Sequence, residues 1–250
     1  MKTLLSLLFI LASSYTIAQQ TPQSTQTNTT TKTTGCVSGD CDNGWGKWVY
    51  NNGYYSGFWF NKKRSGYGMY DWTEAGKYIG WWKNDKRDGY GVYFYNEKDE
   101  MSGEFKNGEL DGLGKNFKDG KWKQGVYSNG NLVTEHTFYD NKIKTGCIAG
   151  DCQNKYGRFK WSNGDVFTGF FKYGNMYMGT YAFVNGDKYS GMFNSQNKFH
   201  GNGRFFFANG EYYGGEWMDG KYNGLGYYVD KDLISQKGYW TNGVLTKSYD

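Results

Sequence analysis

Two histidines, four cysteines and a scatter of carboxylates are the residues of this 250-residue chain that could do chemistry. His136 stands beside Glu135 and near Asp140, and a histidine next to a carboxylate is the raw material of an acid–base pair. No nucleophile accompanies it, so it reads as a solvated loop residue. His200 falls in a recurring pattern, His200-Gly201-Asn202-Gly203, and reads as structural. Gly-x-Gly pairs begin at Gly44, Gly66, Gly89, Gly112, Gly201 and Gly224. None continues to a third glycine at dinucleotide-binding spacing, where Val49, Asp71, Phe94, Phe117, Phe206 and Val229 stand instead. No helical pattern follows them, so a phosphate cradle is unsupported. The expectation is a chain that is not an enzyme, with no catalytic residue, cofactor or metal.

What must position these residues is set by an unusual composition. Of the 250 residues, 38 are glycine and one is proline, while Trp, Tyr and Phe number 10, 24 and 17. So many rings exclude a disordered chain, and the lack of proline excludes a collagen-like one. A net charge of +5, with both signs interspersed, argues against a nucleic-acid partner. Met1-Lys2, the apolar run Leu4 to Ala12 and Thr16-Ile17-Ala18 predict a signal peptide over residues 1–18. Residues 19–34 hold eight Thr, four Gln and no ring, and are expected to form a disordered linker. The protein is then exported, to the periplasm or outside the cell.

From Gly35 onward the Gly-x-Gly pairs recur at offsets of 22, 23, 23, 89 and 23 residues, the 89 being close to four units. Between them runs a ring-x-Gly-x-ring pattern, as in Tyr55-Ser56-Gly57-Phe58-Trp59 and Tyr78-Ile79-Gly80-Trp81-Trp82. Asn-Gly and Asp-Gly steps, from Asn52-Gly53 to Asn242-Gly243, supply the positive φ angles of two-residue hairpin turns. Each unit of about 23 residues is therefore a β-hairpin. Period-two geometry puts Tyr55, Gly57 and Trp59 on one face, and Gly66, Gly68, Tyr70 and Trp72 likewise.

Gly35-Cys36 to Cys41 reappears as Gly146-Cys147 to Cys152, 111 residues later, which is not a multiple of 23. The chain thus reads as two arrays, 35–145 and 146–250, each opened by a cysteine loop, with 131–145 as the join. In an extended sheet four hairpins separate the two loops by roughly 40 Å. Bridges Cys36–Cys41 and Cys147–Cys152 follow from that spacing, a shared zinc site does not, and free thiols are the plainer alternative.

These units resemble the MORN (membrane occupation and recognition nexus) repeat, whose pattern runs Tyr-x-Gly-x-Trp, a turn, then His-Gly-x-Gly. The fit is close over Glu211 to Gly226, and the resemblance spans residues 42–250. It departs around 131–155 and at Met178-Gly179-Thr180, where regular geometry is not expected. The resemblance implies an all-β fold, an elongated antiparallel sheet of tandem hairpins, serving as a scaffold or binding surface in an exported, bacterial-type member. The expected function is a non-enzymatic scaffold binding a protein partner or itself. The alternative is an envelope-binding module. It would recognise cell-wall glycan through Tyr55, Trp59, Tyr78, Trp82, Tyr189, Tyr213 and Trp217, or anionic lipid through Lys62, Lys63, Arg64, Lys86 and Arg87.

Overall fold

The computed structural model describes residues 33–249; the predicted signal peptide and all of the predicted linker but Thr33 and Thr34 lie outside them. The described residues hold twenty strands and no helix. The first sheet contains β1 (Gly35–Gly39), β2 (Trp45–Tyr50), β3 (Gly53–Phe60), β4 (Lys63–Trp72), β5 (Gly76–Lys83), β6 (Lys86–Phe94), β7 (Glu100–Lys106), β8 (Glu109–Lys118), β9 (Lys121–Ser128) and β10 (Asn131–Glu135). The second contains β11 (Gly146–Gly150), β12 (Tyr156–Lys160), β13 (Val166–Lys172), β14 (Asn175–Ala182), β15 (Lys188–Phe193), β16 (Phe199–Phe206), β17 (Tyr212–Met218), β18 (Lys221–Val229), β19 (Ser235–Thr241) and β20 (Val244–Ser248). Each sheet is an antiparallel meander in chain order. The two arrays are therefore two sheets, not one continuous sheet.

Their regularity rests on one row of glycines. Gly39, Gly46, Gly57, Gly68, Gly80, Gly91, Gly103, Gly114 and Gly125 stand directly opposite one another, strand to strand, across the first sheet. An equivalent row runs from Gly150 to Gly238 across the second. With no Cβ, each opposed pair leaves a bare patch of backbone on which a side chain lies flat. A Cβ on Gly57 or Gly68 would stand 2.4 and 2.2 Å from the Tyr55 hydroxyl. Tyr78 covers Gly80 and Gly91, Tyr189 covers Gly191 and Gly203, and Tyr213 covers Gly215 and Gly226 in the same way. Leu110 takes the role over Gly103 and Gly114, Phe167 over Gly169 and Gly179, and Leu245 over Gly238. At the start of each row a cysteine sulfur replaces the ring: Cys41 Sγ lies over Gly46 and Cys152 Sγ over Gly157.

The row also corrects the expectation for Met178-Gly179-Thr180. Gly179 keeps its place opposite Gly169 and Gly191, so pairing stays regular there. The row uses only the second glycine of each Gly-x-Gly. The first turns the other way: a Cβ on Gly66 (φ +76°) would meet Leu225 of the second sheet, not share the face of Gly68. Turn chemistry divides too. Asn107-Gly108, Asp119-Gly120, Asn129-Gly130, Asp219-Gly220 and Asn242-Gly243 have positive φ at both positions, and so do Asn61-Lys62 and Asn84-Asp85, which carry no glycine. At Asn163-Gly164 and Asn185-Gly186 only the glycine is positive, and Asp165 and Asp187 accept from the amides of Val184 and Ala208 in the next turn.

The sheets stack face to face through the residues that alternate with the ring motif. Phe58, Tyr67 and Trp81 pack with Leu225, Tyr227 and Tyr249. Tyr90 and Leu113 pack with Tyr156, Phe170 and Met178. Trp45 stacks on Tyr227 at 4.7 Å, while at the far end His136 meets the Phe170 ring at 5.8 Å. The second array thus runs back along the first, and the cysteine loops lie at opposite ends of the sandwich. Cys36–Cys41 and Cys147–Cys152 are bonded within their own loops. Each loop supplies the edge strand itself, β1 or β11, and does not cover one.

Candidate functional site

On the outer face of each sheet the ring motif is welded to the backbone. Each buried tyrosine donates its hydroxyl to the carbonyl three residues on: Tyr55 to Phe58 (3.1 Å), Tyr189 to Met192 (2.8 Å) and Tyr213 to Glu216 (3.1 Å). Strand register shifts just there, between Gly57 and Trp59 and between Gly215 and Trp217, so the hydroxyl satisfies the carbonyl that the bulge leaves unpaired. Each tryptophan donates its indole N–H to a glycine of the row: Trp59 to Gly46, Trp82 to Gly68 and Trp217 to Gly203, at 3.0–3.2 Å. Tyr55, Trp59, Tyr78, Trp82, Tyr189, Tyr213 and Trp217 are each at most 5% exposed. They are core, and the expectation that they form a contact surface is corrected: a ring lying on bare backbone has spent both faces on packing.

The surface passes to their neighbours, and the two sheets differ. The residue opposite each motif Trp or Phe is Arg64, Arg87 and Leu110 in the first sheet, but Met176, Phe199, Tyr222 and Leu245 in the second. Arg64 lies over the Trp82 ring at 4.5 Å and pairs with Asp85 at 3.1 Å. Arg87 lies over Tyr93 and Phe105 and donates to the Gly108 carbonyl. The arginines are thus turned onto the rings and tied to the next turn, as planar cations allow. Of the five residues expected to form a basic edge, only Lys62, Lys63 and Lys86 project from the turns.

Among the described residues no cation lies over the outer-face rings of the second sheet from Phe159 to Phe207. Half-buried Phe159, Trp161, Tyr181, Phe183 and Phe199 line a groove of 490 Å³. Phe199, Phe205, Phe207 and Tyr222 carry it on as a further 320 Å³ hollow, where Lys221 is the charged residue. Between the sheets, beside the join, lies a 1080 Å³ cleft lined by Lys115, Trp122, Glu135, Arg158 and Lys160 among others.

His136 sits at this end of the sandwich and is 5% exposed, not solvated as its sequence setting suggests. Its main chain is gripped by Gln124, and its Nδ1 is buried with no hydrogen-bond partner. Burial, helped by Lys155 and opposed by Asp151, holds its pKa below the ordinary value. An unfolded chain therefore binds this proton at higher pH than the folded one. The stability at stake is present above about pH 6.5 and is lost as pH falls below it. The variant His136→Leu is expected to flatten the decline in urea midpoint between about pH 7 and 5. An unchanged decline would remove His136 from the account. His200 approaches Asp219 at 3.6 Å at the surface.

Among the described residues no cluster of His, Cys, Asp or Glu could hold a metal ion, and no helix is long and apolar enough to cross a membrane. The MORN repeat family model matches residues 55–74, 78–99, 102–115, 156–166, 189–212 and 213–232, three stretches in each sheet. No curated protein matches the chain. MORN repeats are a non-catalytic repeat type, generally associated with binding to proteins or membranes. With the glycine row running through all six stretches, the chain belongs to the MORN repeat family.

Proposed function

We propose that this protein is an exported, non-catalytic scaffold that binds a protein partner along the ring groove of its second sheet. The observation that carries this reading is the uncovered row Trp161, Tyr181, Phe183, Phe199, Phe205 and Phe207, where the first sheet has arginines folded over its rings. A contiguous apolar strip on the outside of a sandwich is costly to leave in water and marks an interaction surface. Its hollows suit an extended or helical segment with apolar side chains at regular spacing. Export is supported by the two paired cysteine loops, which persist in an oxidising compartment.

The test is peptide-display selection on residues 19–250, counter-screened with Phe183→Asp/Phe205→Asp. Enrichment of apolar peptides that bind the double variant at least ~10-fold more weakly, with its melting temperature kept, supports the scaffold. Absence of enrichment, or equal binding by the variant, counts against it. Sedimentation velocity of both proteins tells whether the groove takes a second copy. The projecting lysines Lys62, Lys63 and Lys86 favour one further reading, attachment to anionic lipid, at about 1 kcal/mol per lysine. Salt-sensitive pelleting with anionic liposomes that is lost in a triple Lys→Gln variant would select it.

A further inference from the structure

One arginine in the sandwich has a buried guanidinium nitrogen without a partner. Arg204 projects from β16 into the space between the sheets, where it helps line a 340 Å³ cavity with Trp45, Tyr67, Ile79, Phe206 and Tyr212 among others. It is the single charged residue of the nine that line the cavity. Its guanidinium lies over the Phe206 ring at 4.6 Å, which satisfies the flat face of the cation but none of its N–H groups. The Nε atom is buried and has no hydrogen-bond partner. None of the ion pairs among the described residues includes Arg204.

A buried N–H left without an acceptor is costly, and guanidinium is shaped to take a carboxylate through two parallel hydrogen bonds. Arg64, also stacked over a ring, shows the paired arrangement within this chain, since Asp85 accepts from it. At Arg204 the carboxylate is missing while the rest of a binding site is present. Rings form the walls, Met69 and Ile79 give an apolar floor, and the half-buried Ser56, Arg204 and Tyr212 leave an entrance. The volume falls at the low end of those that hold small ligands.

We infer that this inter-sheet cavity binds a small monocarboxylate with a flat apolar body, its carboxylate on Arg204 and its body between the rings of Trp45, Phe206 and Tyr212. The site is distinct from the groove proposed for a protein partner and does not depend on it. A carboxylate on an aromatic body can come from a free aromatic acid or from the C-terminal residue of a peptide, and the chemistry on Arg204 is the same.

The test is calorimetric titration of the full folded chain with benzoate, benzamide, N-acetyl-Gly-Phe and its C-terminal amide. Benzoate is expected to bind with a Kd of about 1 mM or tighter and benzamide at least ~10-fold more weakly. Binding by N-acetyl-Gly-Phe but not benzoate, lost in the amide, also upholds the site and identifies a chain terminus as the source. Arg204→Met is expected to abolish the difference between acid and amide. Equal binding of acid and amide by the wild-type chain overturns the inference, and so does binding of neither acid. Both outcomes are read without any variant, so a misfolded Arg204→Met protein would not shield the proposal. A site that discriminates acid from amide equally well in a folded Arg204→Met protein would place the carboxylate elsewhere and overturn it too.

Discussion

Replacing Gly191 by alanine is expected to be among the most damaging single changes this fold can suffer. The added Cβ would stand 2.4 Å from the Gly203 Cα, 2.6 Å from the Asn202 carbonyl oxygen and 2.7 Å from the Tyr189 hydroxyl. Two of these atoms belong to the neighbouring backbone, so no rotamer change relieves the clash and the strands must part. Tyr189, fully buried, would lose the patch on which it lies and its bond to Met192. Overpacking of this kind costs about 1–3 kcal/mol in ordinary cores, and here the upper end or more is expected because backbone must move. The comparison is Gly220→Ala in a tight turn, where nothing lies within 4 Å of the new Cβ and only the positive φ of +86° is strained. That strain costs about 1–2 kcal/mol. Urea unfolding of both variants separates the two mechanisms. If Gly191→Ala shifts the midpoint no more than Gly220→Ala does, the glycine row is not what the rings rest on.

The same comparison shows where the sequence was legible. Tyr-x-Gly-x-Trp announces itself because one hairpin after another must put a ring on a bare backbone patch and an indole N–H on a row carbonyl, so type and spacing recur together. Paired cysteines were legible for a related reason, since only four residues between partners leave the bond within one turn of chain. The stacking of the sheets was not. Phe58, Trp81 and Phe170 each follow a motif glycine, and Tyr67, Tyr90, Met178 and Leu225 each precede a glycine of the row, so the residues that hold the sandwich together recur in position, but that recurrence does not say which hairpin of the other array each one meets. Nothing in a periodicity of 23 says whether its two arrays lie end to end or back to back.

Surface and core were confused at the rings for one physical reason. A tyrosine in an open sheet reads as half-exposed unless the glycines opposite it are seen to be aligned strand to strand. The basic edge failed differently: Lys62, Lys63 and Arg64 look alike as charges, but the arginine stacks on Trp82 while the lysines reach for water. Having arginine at both Arg64 and Arg87 was the available sign. The groove of the second sheet was hidden because Phe183 and Phe207 stand at strand ends, outside the repeat pattern. Arg204 had no sign at all, since its setting is made by the other sheet.

Alkaline pH is expected to unfold the protein cooperatively, because its tyrosines hold their protons far past the usual range. Burial pushes Tyr156 and Tyr127 up to about 12 and holds Tyr55, Tyr78, Tyr189 and Tyr213 well above the ordinary value. The cause is the same throughout: a phenolate would sit among packed side chains, away from water, where the charged form is penalised. At pH 11 an unfolded chain releases these protons and the folded chain keeps them, so stability falls as pH rises above the unfolded value near 10. The contribution is intact below that value. For Tyr156, 8% exposed, a rise of about two units is worth on the order of 2–3 kcal/mol by the time pH passes 12. A few such rings equal the whole stability of an ordinary domain. Absorbance at 295 nm and far-ultraviolet dichroism, followed together from about pH 9 to 13, should therefore show one coincident transition. Smooth ionisation of most tyrosines near pH 10 with the strand signal retained would mean that the rings can be charged in place. The tyrosine hydroxyls would then not be what locks each bulge to its glycine row.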